Sequence, residues 1–262
     1  MAKPKALVLR AAGVNCDVET EFALRQAGFE ARRVHVFRIM DDPSILDEAQ
    51  FLLIPGGFSY GDDVAAGKIL ANQMLHRLAD ALNEFVQADK LLLGICNGFQ
   101  VMIKSGLLPW GQVTPDKAHR DATLAWNDSG KFEDRWVHLK ADSDKCVFLP
   151  GGEQIFLPVA HGEGKFVTRD SAVLQQLAEN DQIALRYTDA AGSATQQYPS
   201  NPNGSIDAIA GICDPTGRIM GLMPHPERFC QITNHPQWTR GNVERADGQI
   251  FFARAFDYFS AG

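Results

Sequence analysis

Apolar residues follow two rhythms along this chain. In the first hundred positions, short unbroken apolar runs alternate with stretches of helical spacing. Ala6-Leu7-Val8-Leu9, Phe51-Leu52-Leu53-Ile54 and Leu91-Leu92-Leu93 read as buried strands, and 33–37 reads as another. Asp17 is a plausible N-cap for a helix over 18–27 that Gly28 stops. Ile69, Leu70, Met74, Leu75, Leu78, Leu82, Phe85 and Val86 recur at helical spacing, which predicts one long helix over 68–87. Gly94 to Gly98 turns straight into a further helix over 99–105, closed by Gly106. Fully apolar strands between amphipathic helices imply a parallel sheet covered on both faces. Sites in such sheets form at the carboxyl ends of the strands. Here those ends are Gly13-Val14-Asn15, Gly56-Gly57-Phe58 and Gly94-Ile95-Cys96.

The second half is richer in strands. The pattern predicts strands over 132–140, 154–160 and 183–187, and helices over 171–179 and 250–259. Segments 208–213 and 218–223 form a hairpin around the turn residues Asp214-Pro215-Thr216-Gly217, and 189–204 reads as a surface loop. The expected fold is α/β and three-layered (αβα). It has a mostly parallel central sheet with helices on both faces and a strand-rich second half. With no repeat and no linker, 1–262 is expected to be a single domain.

Composition narrows the function classes. Hydrophobic residues make up 45% and charged residues 22% of the 262 positions, as in an ordinary soluble globular protein. The balance of 25 Lys+Arg against 32 Asp+Glu offers no basic stripe for nucleic acid. Five cysteines, with no C-x-x-C pair, argue against a disulfide framework or a zinc cluster and fit a reducing compartment. The apolar run after Lys5 is cut by Arg10, too short for a signal peptide, and no run reaches a membrane span. A cytoplasmic protein that binds neither membrane nor nucleic acid is expected.

The sharpest chemical signal is Gly94-Ile95-Cys96-Asn97-Gly98, a G-x-C-x-G version of the nucleophile elbow. Small neighbours let the backbone bend tightly between strand and helix. The turn then lifts the Cys96 thiol to a helix N-terminus, which favours the thiolate. Alone, the motif fits a buried inert cysteine equally well. A nucleophilic thiol needs a base, and the base needs an orienting acceptor. His225 in Met223-Pro224-His225-Pro226-Glu227 lies just past a strand. The two prolines favour extended backbone, which would put residues i and i+2 on one side and bring Glu227 to the imidazole. His35, His76, His119, His138 and His235 lack such context. The glycines of Pro55-Gly56-Gly57-Phe58 allow close backbone approach to a ligand, and the amides of Gly57 and Asn97 are candidate oxyanion donors. A P-loop over 61–68 fails: Asp62 replaces a glycine and Ile69 replaces Ser/Thr.

Taken together, these elements resemble the class I (triad-type) glutamine amidotransferases. Ile54 to Asp63, Leu93 to Gln100, Asn127-Asp128-Ser129-Gly130, Val159 to Gly164 and Gly221 to Arg228 look like one subfamily, the glutaminase subunit of phosphoribosylformylglycinamidine synthase. Gly13, Asn15, Cys16 and Asp17 near the start also fit, as does Asn201-Pro202-Asn203-Gly204-Ser205; 109–121 and the tail after Phe229 fit less well.

The resemblance implies that Cys96 attacks the side-chain amide of glutamine, that His225 shuttles protons and that Glu227 orients His225. Gly57 and Asn97 would form the oxyanion hole, and Gln100 and Gly56 would contact glutamine. It implies no metal and no cofactor in this chain, with ATP and magnesium on a partner synthetase subunit that takes up the ammonia. A small accessory subunit would join the complex. His161 and Glu163 are a family feature with no assigned role. Two alternatives stay open on the residues alone: a cysteine hydrolase or deglycase of a related superfamily, and a non-catalytic scaffold subunit.

Overall fold

The computed structural model describes residues 3–116 and 120–260, so His119 lies outside the described residues. Strand β1 (Lys5–Arg10) leads to helix α1 (Asp17–Ala27), strand β2 (Glu30–His35) and the short helix α2 (Val36–Asp41). Then come β3 (Phe51–Ile54), α3 (Lys68–Arg77), α4 (Ala79–Gln87), β4 (Leu91–Ile95) and α5 (Asn97–Ser105). The second half contributes β5 (Ala122–Trp126), β6 (Glu133–Ala141), β7 (Gln154–His161), β8 (Glu163–Thr168), α6 (Ser171–Glu179) and β9 (Ile183–Thr188). Strands β10 (Ile209–Cys213) and β11 (Ile219–Leu222) and helix α7 (Gln249–Ser260) complete it.

Nine strands form one sheet in the order β2-β1-β3-β4-β11-β10-β9-β6-β7. The first five in that order are mutually parallel. Each later pairing is antiparallel, so only β10 and β6 oppose the direction shared by the rest. Strands β5 and β8 pair separately as an antiparallel ribbon.

Alternation along β3 shows why its run is wholly apolar: it is buried from both sides. Phe51 faces the Phe29 ring, which in turn meets Phe256 of α7. Leu52 and Ile54 point the other way, into an interior shared with Ile39, Met74, Leu78 and Leu82. Helices therefore cover both faces. The parallel half also sets the site, because β1, β3, β4 and β11 all end on one edge of the sheet.

The sequence pattern and the structure differ at several places. Strand β2 stops at His35, whose Nδ1 accepts the Phe37 N–H at 3.3 Å and starts α2. The predicted helix over 68–87 is two helices, broken at Leu78 (φ −130°). Its apolar spacing runs across the break because Met74, Leu78 and Leu82 line the same interior. Cys16, not Asp17, holds the cap position of α1; Asp17 instead pairs with Arg10 at 2.8 Å and Arg33 at 3.4 Å. The loop predicted over 189–204 is a surface loop only in part. Its end turns inward, where the buried Asn203 donates to Gly164 O at 2.8 Å. Among the described residues, no helix is long and apolar enough to cross a membrane.

Candidate active site

Strand β4 ends at Ile95 and α5 begins at Asn97, leaving Cys96 alone to make the turn. Its backbone sits at φ 51°, ψ −105°, a sparsely populated region for a residue with a side chain. Such strain costs on the order of 1–3 kcal/mol and persists only where the surroundings impose it. Here the flanking glycines permit it. A Cβ on Gly98 would lie 1.9 Å from Ile54 O, and one on Gly94 would lie 2.2 Å from Met102 Sδ. The elbow is thus pressed between β3 and its own helix. The Cys96 N–H donates to Leu222 O at 2.8 Å, tying the turn to β11, and Sγ points toward Ala160 O at 3.7 Å.

His225 follows β11 and is fully enclosed. Its N–H donates to Pro158 O at 2.9 Å, and Nδ1 bonds Glu227 Oε1 at 2.6 Å. The expected extended geometry is not how they meet. Pro226–Arg228 is a 3-10 turn with proline at its start, and the turn folds Glu227 back onto the ring. Burial opposes a charged imidazole. Glu227 first, then Cys96 and the thiol contacts of Cys16 and Cys96, outweigh it and hold the His225 pKa well above its ordinary value. With Nδ1 committed to the carboxylate, the enclosed Nε2 has no aligned hydrogen-bond partner among the described residues.

The loop after β3 supplies the third part. A Cβ on Gly56 would lie 2.8 Å from His225 Cε1 and 3.3 Å from Cys16 Sγ, so Gly56 leaves room for the histidine. Gly56 thus lies beside the imidazole. Gly57 has φ +136°, and a Cβ there would strike Asn15 N at 2.7 Å. Among the described residues, the amides of Gly57 and Asn97 have no hydrogen-bond partner, which leaves both free to meet a developing negative charge. The Asn97 side chain joins the two segments. Its Oδ1 accepts from Ser59 N at 3.1 Å, and Nδ2 donates to Asp62 Oδ1 at 3.0 Å and Gln100 Oε1 at 2.9 Å. Burial pushes the Asp62 carboxyl above its usual range.

Cys96, Gly57 and Gln100 open on a cavity of about 350 Å³ with Phe58, Trp126, Phe132 and His161 in its walls. Phe58, Trp126 and Phe132 are exposed aromatics in that wall. A larger cleft of about 710 Å³, lined by His138, Phe156, Phe229 and His235, contains none of these reactive groups. Gln100 donates from Nε2 to Glu163 O at 2.6 Å, so both ends of its amide are held by protein and it shapes the cavity wall. His161 is locked from behind: Asn127 Nδ2 donates to His161 O at 2.8 Å, and Asn127 Oδ1 meets His161 Nδ1 at 3.2 Å. Burial, then the charge of His225, drives the His161 pKa down to about 3. The Glu163 carboxylate lies 3.7 Å from Lys104 Nζ. The Asn97 and Asn127 side-chain clamps are absent from the sequence reading. Asn127 stood in a noticed motif, but its partners come from other segments.

The comparisons with known proteins agree with this geometry. Residues 3–259 match the family model described as CobB/CobQ-like glutamine amidotransferase domain. A phosphoribosylformylglycinamidine synthase subunit PurQ of Dehalococcoides mccartyi is 44% identical over 97% of each chain. One of Methanococcus maripaludis is 40% identical over 98% of each chain. Among solved structures, PurLQS from Thermotoga maritima includes a chain 32% identical to this one, with a TM-score of 0.74 over 98% of this chain and all of that one. A second Thermotoga maritima glutamine amidotransferase is 14% identical, with a TM-score of 0.56 over 98% of this chain and 97% of that one, and shares the fold alone. The chain belongs to the glutamine amidotransferase family, in the branch formed by the PurQ subunits of phosphoribosylformylglycinamidine synthase.

Proposed function

We propose that the chain hydrolyses the side-chain amide of glutamine and delivers the ammonia to a synthetase subunit of phosphoribosylformylglycinamidine synthase. The synthetase uses it, with ATP, to turn formylglycinamide ribonucleotide into formylglycinamidine ribonucleotide in purine biosynthesis. One observation carries the reading. A thiol on a strained elbow opens with Gly57 on one cavity, a buried His225–Glu227 pair lies against that thiol, and the amides of Gly57 and Asn97, from separate segments, are both unpaired among the described residues.

On this reading the Cys96 proton passes to His225 Nε2 and the sulfur attacks the carboxamide carbon. The oxygen takes up charge facing the amides of Gly57 and Asn97, donors whose individual removal costs about 10²–10³ in rate in comparable sites. His225 returns its proton to the leaving nitrogen, and the C–N bond breaks to give ammonia and a glutamyl thioester on Cys96. Water, deprotonated by His225, cleaves the thioester to glutamate and restores the thiol. Glu227 holds the imidazole with Nε2 toward the reaction and stabilises its charged form. Nucleotide and magnesium belong to the synthetase, and a small accessory subunit completes the complex. The whole cycle lies within one domain of a cytoplasmic enzyme.

Replacing the nucleophile separates the two half-reactions. In the assembled complex, Cys96→Ala is expected to abolish glutamine-dependent synthesis while synthesis from added ammonia continues. Retention of glutamine use would reject the assignment.

A further inference from the structure

Cys16 takes no part in the cycle above, yet it lies against the dyad. It ends the loop after β1, donates its N–H to Gly56 O at 3.3 Å and accepts the Thr20 N–H at 3.1 Å. The side chain is fully buried. Its sulfur, one nitrogen of His225 and one oxygen of Glu227 lie within 4.8 Å of one another. Arg228 donates from Nη2 to Cys16 Sγ at 3.1 Å, the thiol faces Asn15 Oδ1 at 3.3 Å, and Arg228 Nε lies 3.9 Å from Glu19 Oε1.

Arg228 is the residue next to Glu227. Glu227 uses Oε1 on His225, while Oε2 is buried with no partner among the described residues. A guanidinium and a carboxylate make one of the strongest pairs two side chains can form, often through both oxygens. Here the guanidinium goes instead to a neutral sulfur and a distant glutamate.

We propose that Cys16 is a positioning residue for glutamine hydrolysis: its sulfur keeps the Arg228 guanidinium from pairing directly with Glu227, so that His225 is the one hydrogen-bond partner of the carboxylate among the described residues.

The proposal rests on the reading of Cys96, His225 and Glu227 as a triad. The groups facing His225 are Glu227 from its own turn, Cys96 from the elbow, Cys16 from the cap of α1 and His161 from β7, while Arg228 faces Cys16 and Glu227. Glu19 on α1 acts through Arg228, and Cys230, which donates to Pro226 O at 3.3 Å, is close enough to feel Glu227. Burial keeps the Cys16 and Cys230 thiols protonated, and His161 stays neutral above about pH 3. The placement of Arg228 is then the setting that decides how much of the Glu227 charge His225 receives. An opposite charge at this range moves a pKa by roughly 1–3 units. An Arg228–Glu227 pair would therefore lower the His225 pKa by about one unit or more. Because His225 must carry a proton to release ammonia, a lower pKa moves the alkaline limb of kcat/KM to lower pH.

The test is the pH dependence of glutamine hydrolysis by the full chain. Cys16→Val fills the space but accepts no hydrogen bond, and Cys16→Ala is an independent variant with the same expectation. Both should move the alkaline limb down by about one pH unit, a roughly tenfold loss of kcat/KM above the limb. Cys16→Ser, which still accepts from Arg228, should keep the limb in place, and Arg228→Met added to Cys16→Val should return it. A limb that stays at the wild-type pH in Cys16→Val and Cys16→Ala, or a shift that Arg228→Met does not reverse, would overturn the proposal. Failure of the triad reading would show separately, as glutamine hydrolysis by Cys96→Ala.

Discussion

The residues of the site are each held in a state they would not adopt in water. Cys96 occupies a backbone conformation that only its glycine neighbours make room for. His225 is enclosed yet inclined to hold its proton, because a carboxylate 2.6 Å from Nδ1, together with the Cys96 and Cys16 thiols, outweighs burial. His161, also enclosed but without an anion, goes the opposite way. Two buried histidines thus have opposite charge preferences for a reason visible in their partners. Glu227→Gln should remove that difference. With a neutral amide at Nδ1, the His225 pKa falls, so the alkaline limb of glutamine hydrolysis should move to lower pH and kcat should fall with it. Profiles recorded between pH 6 and 10 check this, and an unmoved limb would mean that another group titrates.

At the scale of elements, the site depends on how tightly α5 seats on the sheet. The helix touches β3 through Gly98 and β4 through Gly94, but against different neighbours. A Cβ at 98 meets the Ile54 carbonyl oxygen at 1.9 Å, part of a buried strand that cannot yield, while one at 94 meets the flexible end of Met102 at 2.2 Å and backbone, that of Gly98, only at 2.9 Å. Gly98→Ala should therefore destabilise the protein by more than the ~1–3 kcal/mol typical of overpacking, and Gly94→Ala by less than Gly98→Ala. Urea unfolding midpoints would rank them, and the reverse order would contradict this account of the seat.

These elements also show how far the sequence was readable. The parallel half was legible because apolar runs and glycine stops have local causes: Leu91-Leu92-Leu93 needs no distant partner to read as a buried strand. The elbow and the His225-Pro226-Glu227 segment were legible because their spacing carries the chemistry. The break at Leu78 was not, since both helices bury the same face and the periodicity continues through it. The β5–β8 ribbon was not, since it is fixed by pairing between residues 37 to 46 apart and by Phe166 stacked on Phe99. Asn97, Asn127 and Cys16 depend on partners that only the fold brings near.

On the scale of the whole molecule, burying a histidine in its neutral form has a cost that appears on acidification. His161 has a folded pKa of about 3 against an ordinary 6.5, so the unfolded chain binds a proton that the folded chain refuses. Below about pH 6.5 this group alone removes roughly 1.4 kcal/mol of stability per pH unit. His225 acts in the opposite sense: its raised pKa adds stability below its ordinary value, which is lost as pH rises through the folded pKa. His161→Gln should flatten the fall in unfolding free energy between pH 6.5 and 4.5 relative to the parent chain; parallel slopes would place the acid sensitivity elsewhere.

The central claim is that one thiol of five forms a covalent bond with glutamine. An electrophilic glutamine analogue, such as a diazoketone on the glutamine skeleton, followed by peptide mapping of the labelled full chain, tests it most directly. The account predicts one label per chain, on Cys96, which lines the cavity, protected by glutamine and absent in Cys96→Ala, with Cys16, Cys146, Cys213 and Cys230, which do not line it, unmodified. A label on any other residue, or one that persists in Cys96→Ala, would contradict it.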